Sequence, residues 1–137
     1  MKLSPNFTLA EMLASQTATR KGITEQFNPP AAVIANLKFV ANNLLEPLRA
    51  KIGPLKISSG YRSPLTNKAV GGAKNSSHIT GEAVDIDLGS IAANKQLFDF
   101  IRKSGLEFDQ LINEYNFSWV HVSLKRDGNR KQVLAIG

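Results

Sequence analysis

The longest apolar pattern in the chain is helical. Val33, Leu37, Val40, Leu44 and Leu48 recur at intervals of three and four, with Ile34, Ala41 and Leu45 beside them, which is the spacing of one face of an α-helix. Asn28 is placed to cap this helix and Pro29 or Pro30 to occupy its first turn. Pro47 removes a backbone donor from the stripe, so a kink or a second helical piece is expected there, and Gly53 and Pro54 end it. Ahead of it, Thr8 and Glu11 form a capping box and Phe7 can staple to Met12, which predicts a short helix from Leu9. The hydroxyl-rich SQTATRKG that follows reads as a loop reaching to about Asn28.

After Gly53 the pattern changes to alternation. Leu55–Ser59 reads as a strand, and Ser63 and Pro64 open a short helix running to Val70, with Gly71 and Gly72 ending it. Asn75, Ser76 and Ser77 lead as a polar loop into His78. Ala83–Leu88 alternates, placing Asp85 and Asp87 on one face and Val84, Ile86 and Leu88 on the other, toward a core. Ser90 caps a helix carrying Ile91, Leu97, Phe98 and Ile101, closed by Gly105. Asp109–Glu114 and Trp119–Leu124 predict a hairpin, and the Asp127-Gly128 turn leads to a last strand over Gln132–Ile136. Helices come early and strands late. That order predicts an α+β fold, a mainly antiparallel sheet with helices packed on one face, in a single domain over residues 1–137.

Composition narrows the class. At 137 residues, with 42% hydrophobic and 20% charged positions, the chain is that of a globular protein. No apolar run approaches the ~20 residues that span a bilayer. With no cysteine, disulfides and thiolate metal sites are excluded, so any metal must be held by nitrogen and oxygen. The 17 basic residues outnumber the 11 acidic ones for a net charge of +6, which favours anionic partners. Lys125, Arg126, Arg130 and Lys131 are the nearest to a basic cluster, and a solvated hairpin is their plainest reading. A nucleic-acid binder is not expected, because neither an aromatic platform nor a recognition helix is evident.

The candidate chemistry lies in ISSGYRSPLTNKAVGGAKNSSHITGEAVDIDL, residues 57–88. His78 precedes Asp85 across a loop holding Gly81, and the only other histidine, His121, lies in the alternating WVHVS. Two histidines and an aspartate would make a three-ligand zinc site with a fourth position open, the catalytic form of such a site. By spacing alone the three could as well be surface residues.

The runs SGYRSPLTNKAVGG, SSHITGEAVDI and WVHVS, with FTLAEML near the N-terminus, resemble the zinc peptidases of bacterial cell walls. These include D-alanyl-D-alanine carboxypeptidases and phage L-alanyl-D-glutamate endopeptidases, and the likeness is closest to short phage and prophage members. The resemblance implies a hedgehog/D-Ala-D-Ala-peptidase-like fold, Zn2+ as cofactor, and His78, Asp85 and His121 as its ligands. The pattern S-x-H, G-x-A-x-D and a distal H maps onto Ser76, His78, Gly81, Ala83, Asp85 and His121, and so selects Asp85 over Asp87.

It further implies that Arg62 faces the active site, where its fork suits a peptide carboxylate or a developing oxyanion, and that Ser76 touches substrate or supports the ligands. Tyr61 and Trp119 would wall the cleft or fill core. In several relatives an acid stands three residues before the distal histidine, but here that position is Ser118. Glu114, across the hairpin turn, is the nearest acid and the expected general base, with Asp109 a weaker second. The implied function is hydrolysis of peptidoglycan stem peptides by a monomer, as an endolysin-like endopeptidase or a DD-carboxypeptidase. Ser118 keeps open an alternative, a non-catalytic zinc-binding and partner-binding module on the same fold. MKLSPNFTLAEML lacks the apolar core of a secretory signal, so the expected route is synthesis in the cytoplasm and action on the wall after release at phage or prophage lysis.

Overall fold

A computed structural model describes residues 1–137. The chain opens with a small hairpin, β1 (Lys2–Ser4) and β2 (Phe7–Thr8), which the sequence did not signal. The capping box then forms as expected: Thr8 accepts from the Glu11 amide and the Glu11 carboxylate accepts from the Thr8 amide, starting α1 (Leu9–Leu13). The stretch expected as loop holds a further helix, α2 (Gln16–Lys21), and a 3₁₀ turn at Thr24–Phe27. Ser15 caps α2 through the Ala18 amide, and Gly22 ends it at φ 66°. This is a cap-and-stop pair that the intervening hydroxyl residues obscured.

The long apolar stripe is built as α3 (Ala31–Val40), a π-helical turn (Ala41–Leu45) and α4 (Glu46–Ile52). Pro30 precedes the first turn, whereas Asn28 caps nothing there and donates to the Thr24 carbonyl. The break expected at Pro47 takes the form of the wide turn just ahead of it, where the Glu46 amide reaches back to Ala41. A widened turn seats a proline ring that would otherwise press on the carbonyl four residues before it.

Beyond it come β3 (Ile57–Ser59), α5 (Pro64–Ala69), α6 (Ser77–Thr80), β4 (Ala83–Ile86), α7 (Ile91–Lys103), β5 (Gln110–Glu114), β6 (Trp119–Ser123) and β7 (Gln132–Ile136). The fold is α+β, with a five-stranded mixed sheet in the order β3-β4-β6-β5-β7 beside the two-stranded one. Three of its four pairings are antiparallel, and β7 lies parallel to β5. Because β6 is flanked by β4 and β5, the strand that follows it cannot pair with β6 and passes instead to the edge of β5. Having reversed direction once from β6, it then runs the same way as β5.

One face of this sheet is core. Val84, Ile86, Leu111, Val120 and Val122 are buried in one cluster with Leu37, Val40, Leu44 and Leu48 from the stripe and Leu97, Phe98 and Ile101 from α7. The other face carries the polar chemistry. No helix is long and apolar enough to cross a membrane.

Candidate active site

Strand register builds the site. Asp85 stands opposite His121, His121 opposite Ile112, and Ile112 opposite Leu134, and directly opposed residues share a face. Two residues along, Glu114 stands opposite Trp119 and beside Ile136 on that same face. A cleft of about 660 Å³ runs over these rows, closed on its other side by Arg62 and the segment from Val70 to His78.

His78 sits on the single helical turn α6 and not on an open loop, a correction to the expected polar run. Ser76 starts that turn by accepting from the His78 amide, which commits its hydroxyl to the turn while it still lines the cleft. Gly81 ends the turn at φ 79°, and a Cβ there would lie 2.8 Å from the Val33 carbonyl oxygen. Both facts require glycine at the head of G-x-A-x-D. Gly60 is pressed as closely on α1, since a Cβ there would meet the Met12 carbonyl oxygen at 2.7 Å. Its own carbonyl lies 2.6 Å from His78 Nδ1.

That contact fixes the imidazole. A carbonyl can only accept, so His78 Nδ1 carries the proton and the lone pair of the neutral ring is on Nε2. Nε2 then faces Asp85 Oδ1 at 3.2 Å, and the same oxygen lies 3.0 Å from His121 Nδ1. All three residues are buried, and one ligand atom from each lies within 4.8 Å of the others. A carboxylate facing a bare imidazole nitrogen, both desolvated, calls for a cation between them. Burial pushes the Asp85 carboxyl up, but the two histidines that flank it outweigh burial and hold the group well below the usual carboxylate range. The donor set, two nitrogens and a carboxylate oxygen with no sulfur, fits zinc.

The other expected residues divide. Glu114 Oε2 lies 4.0 Å from His121 Nδ1 and accepts from Trp119 Nε1 at 3.1 Å, and both Glu114 and Trp119 line the cleft. Arg62 also lines it, and its Nε is buried without a hydrogen-bond partner. Burial lowers the Arg62 pKa, opposed by Asp85 and Glu114, whose negative charges face the guanidinium. Tyr61, by contrast, is packed into the core cluster and is absent from the cleft wall. Ser118 is exposed, its hydroxyl donating to the Tyr115 carbonyl. Asp87 lies beyond the end of β4, where the alternation stops, and accepts from the Gly89 amide and from Asn94 Nδ2. Asp109 is fully buried and bound by Arg130, so neither second-choice acid faces the triad.

Two buried amides hold this arrangement and had no signal in the sequence. Gln26 donates to the carbonyls of Leu13 and Tyr61 and accepts from the Ser63 amide, gripping the backbone on both sides of Arg62. Asn94, on α7, accepts from the Leu88 amide and donates to the carbonyls of Phe117 and Ser118. The turn it holds joins Glu114 to Trp119 through three consecutive left-handed residues, Tyr115, Asn116 and Phe117, at φ 51°, 54° and 59°. Each such non-glycine residue costs about 1 kcal/mol or more. The Asn113 side chain, accepting from the Phe117 amide at 2.6 Å, and Phe117 packing edge-on against Phe98 help offset it.

The His, Asp and His set could hold a metal ion in a cleft with a carboxylate beside it, an arrangement that suits a single-metal hydrolase. Residues 5–123 match the family model described as Peptidase M15. The chain belongs to this family, whose members are zinc metallopeptidases. No curated protein matches it.

Proposed function

We propose that this zinc peptidase hydrolyses the stem peptides of peptidoglycan, acting as a monomer, and that His78, Asp85 and His121 hold its zinc. The observation that carries the assignment is the His78 and Asp85 pairing, in which the Gly60 carbonyl accepts a hydrogen bond from Nδ1 and so leaves two acceptors, Nε2 and the carboxylate, facing each other. Bound there, zinc supplies Lewis-acid polarisation of the scissile carbonyl and draws the pKa of water toward 7.

The protein's own groups do the rest. Glu114, held by the Trp119 indole and 4.0 Å from His121, is the base that takes a proton from the attacking water and returns it to the leaving amine. Arg62 places its guanidinium against a substrate carboxylate or the oxyanion of the attacked carbonyl. The base therefore comes from the strand neighbouring His121, and Ser118 has no part in proton transfer. A cleft with lining residues on either side of the triad suits a peptide that continues both ways, which favours an endopeptidase over a carboxypeptidase; the resemblance to short phage and prophage members makes the endolysin type our choice. We assign the fold to the D-Ala-D-Ala-peptidase-like, hedgehog-type group on the family match and the α+β architecture.

The test is hydrolysis of purified wall fragments and synthetic stem peptides by zinc-loaded protein, read as new amino termini. Glu114→Gln keeps shape and hydrogen bonding but cannot accept a proton, so turnover should fall by roughly 10²- to 10⁴-fold with zinc content unchanged. A normal rate in this variant moves the base elsewhere. Wild-type protein that binds zinc yet cuts no stem peptide would make it a zinc-binding module and not a hydrolase.

A further inference from the structure

The family match ends at residue 123, yet the cleft does not. Lys125, Arg130, Leu134 and Ile136 all line it, so the segment after β6 supplies part of its wall. Leu134 continues the row of Asp85, His121 and Ile112 across the sheet, and Ile136 extends the row of Glu114. These two give the cleft floor an apolar margin. Lys125 and Arg130 stand at its other end, past Gln110.

The cations are held there by one buried acid. Arg130 donates to both oxygens of Asp109, Nε to Oδ1 at 3.0 Å and Nη2 to Oδ2 at 2.8 Å, and Lys125 Nζ lies 3.7 Å from Oδ2. A single carboxylate balances one of the two, which leaves one positive charge at the cleft rim. Asp109 is fully buried, while the lysine and arginine side chains are 41% and 55% exposed, so they can meet a ligand without leaving their anchor. The other two members of the basic cluster are engaged elsewhere. Arg126 stacks on Phe39 at 5.0 Å and Lys131 pairs with Glu107.

We propose that Lys125, supported by Arg130, forms a second carboxylate-binding position on the peptide substrate, distinct from the one at Arg62 and built by a segment outside the family match. The inference rests on the peptide-substrate reading above. Lys125 follows His121 by four residues, about 13 Å of extended chain. The carboxylate it takes therefore belongs to a residue roughly two to three positions from the cut amide, allowing for the reach of the lysine side chain.

The test uses zinc-loaded full-length protein, wild type and Lys125→Gln, and a stem pentapeptide in free-acid form with each carboxylate amidated in turn. Two readouts are taken, kcat/KM and the affinity reported by fluorescence of Trp119, the single tryptophan, which lines the cleft. In wild type, one amidation should weaken kcat/KM and binding about fivefold, the scale of a rim ion pair. In Lys125→Gln that same amidation should have no effect, while the other acid-to-amide ratios stay as in wild type. Ratios identical in the two proteins for every peptide overturn the proposal, as does absence of peptide binding. If no peptide is cut, the hydrolase reading fails separately, and the binding ratios still decide this one.

Discussion

Asp85 and Asp109 are both buried carboxylates at the same sheet, and their partners are of opposite kinds. Asp109 faces a guanidinium and an ammonium, permanent cations that complete its charge whatever else is bound. Asp85 faces two imidazoles, one of which directs its N–H at a backbone carbonyl and not at the carboxylate. The first cluster is finished by the fold and the second is not. A buried acid with no permanent cation in direct contact, in a cleft, is where a metal belongs, whereas one that has such a contact is an anchor. The difference is local, since it turns on the Gly60 carbonyl in one case and on Arg130 in the other.

The sharpest way to break the contrast is to remove a partner from the unfinished cluster. His78→Ala and His121→Ala should each weaken zinc binding by more than about 100-fold, because loss of a supporting partner alone costs 10- to 100-fold. Turnover should vanish with it. Metal analysis after dialysis checks this, and full retention of zinc by both variants would remove the triad from the metal site. The fold should persist, since the core cluster contains neither histidine.

A gentler perturbation leaves the sequence intact. Chelation should lower the melting temperature of the wild type, because two acceptors are then left facing each other, and added zinc should restore it. At a free zinc concentration a hundred times the dissociation constant the stabilisation is about 2.7 kcal/mol. Calorimetry with and without chelator measures it, and a melting temperature indifferent to zinc would count against a bound metal. The Asp109 cluster should ignore the chelator.

What could be read beforehand was the part with local signals. The alternation of WVHVS and AVDIDL placed His121 and Asp85 on strands, and the S-x-H and G-x-A-x-D spacing tied them to His78. Glu114 was nameable because it faces Trp119 across a short turn. Gln26 and Asn94 were not, because their partners are backbone atoms of segments far along the chain, and a buried amide leaves no periodicity. The turn at Tyr115–Phe117 was equally hidden, since left-handed backbone is usually announced by glycine and here none is present. Asp127-Gly128 suggested a hairpin, but sheet order decided the pairing. The basic cluster at 125–131 looked like a solvated turn until Asp109, buried and two strands away in sequence, showed what holds two of its members.

Asp109→Asn tests the finished cluster, and its effect should fall on stability rather than metal. The amide keeps the size of the carboxylate but loses the charge and one acceptor, so Arg130 and Lys125 are released toward solvent. The expected cost is about 2 kcal/mol, the scale of hydrogen bonds to a charged group, or roughly 7 °C in melting temperature for a chain of this length, with zinc content unchanged. The pH dependence gives the sign. Hydrogen bonds from Arg130, opposed by burial, hold the folded Asp109 carboxyl below its ordinary 3.8. A depressed folded pKa means the unfolded chain binds a proton first on acidification, so the stabilisation is fully present above about pH 4 and is lost as pH falls through the lower folded value. Glu46 and Asp87 are also held low, and both remain in the variant, so the wild-type-minus-variant difference isolates Asp109. That difference should be constant from neutral pH down to about pH 5 and shrink below pH 4. If it stays constant throughout, Asp109 is not the charged anchor that keeps Lys125 and Arg130 at the cleft, and the two carboxylates are less different than their partners imply.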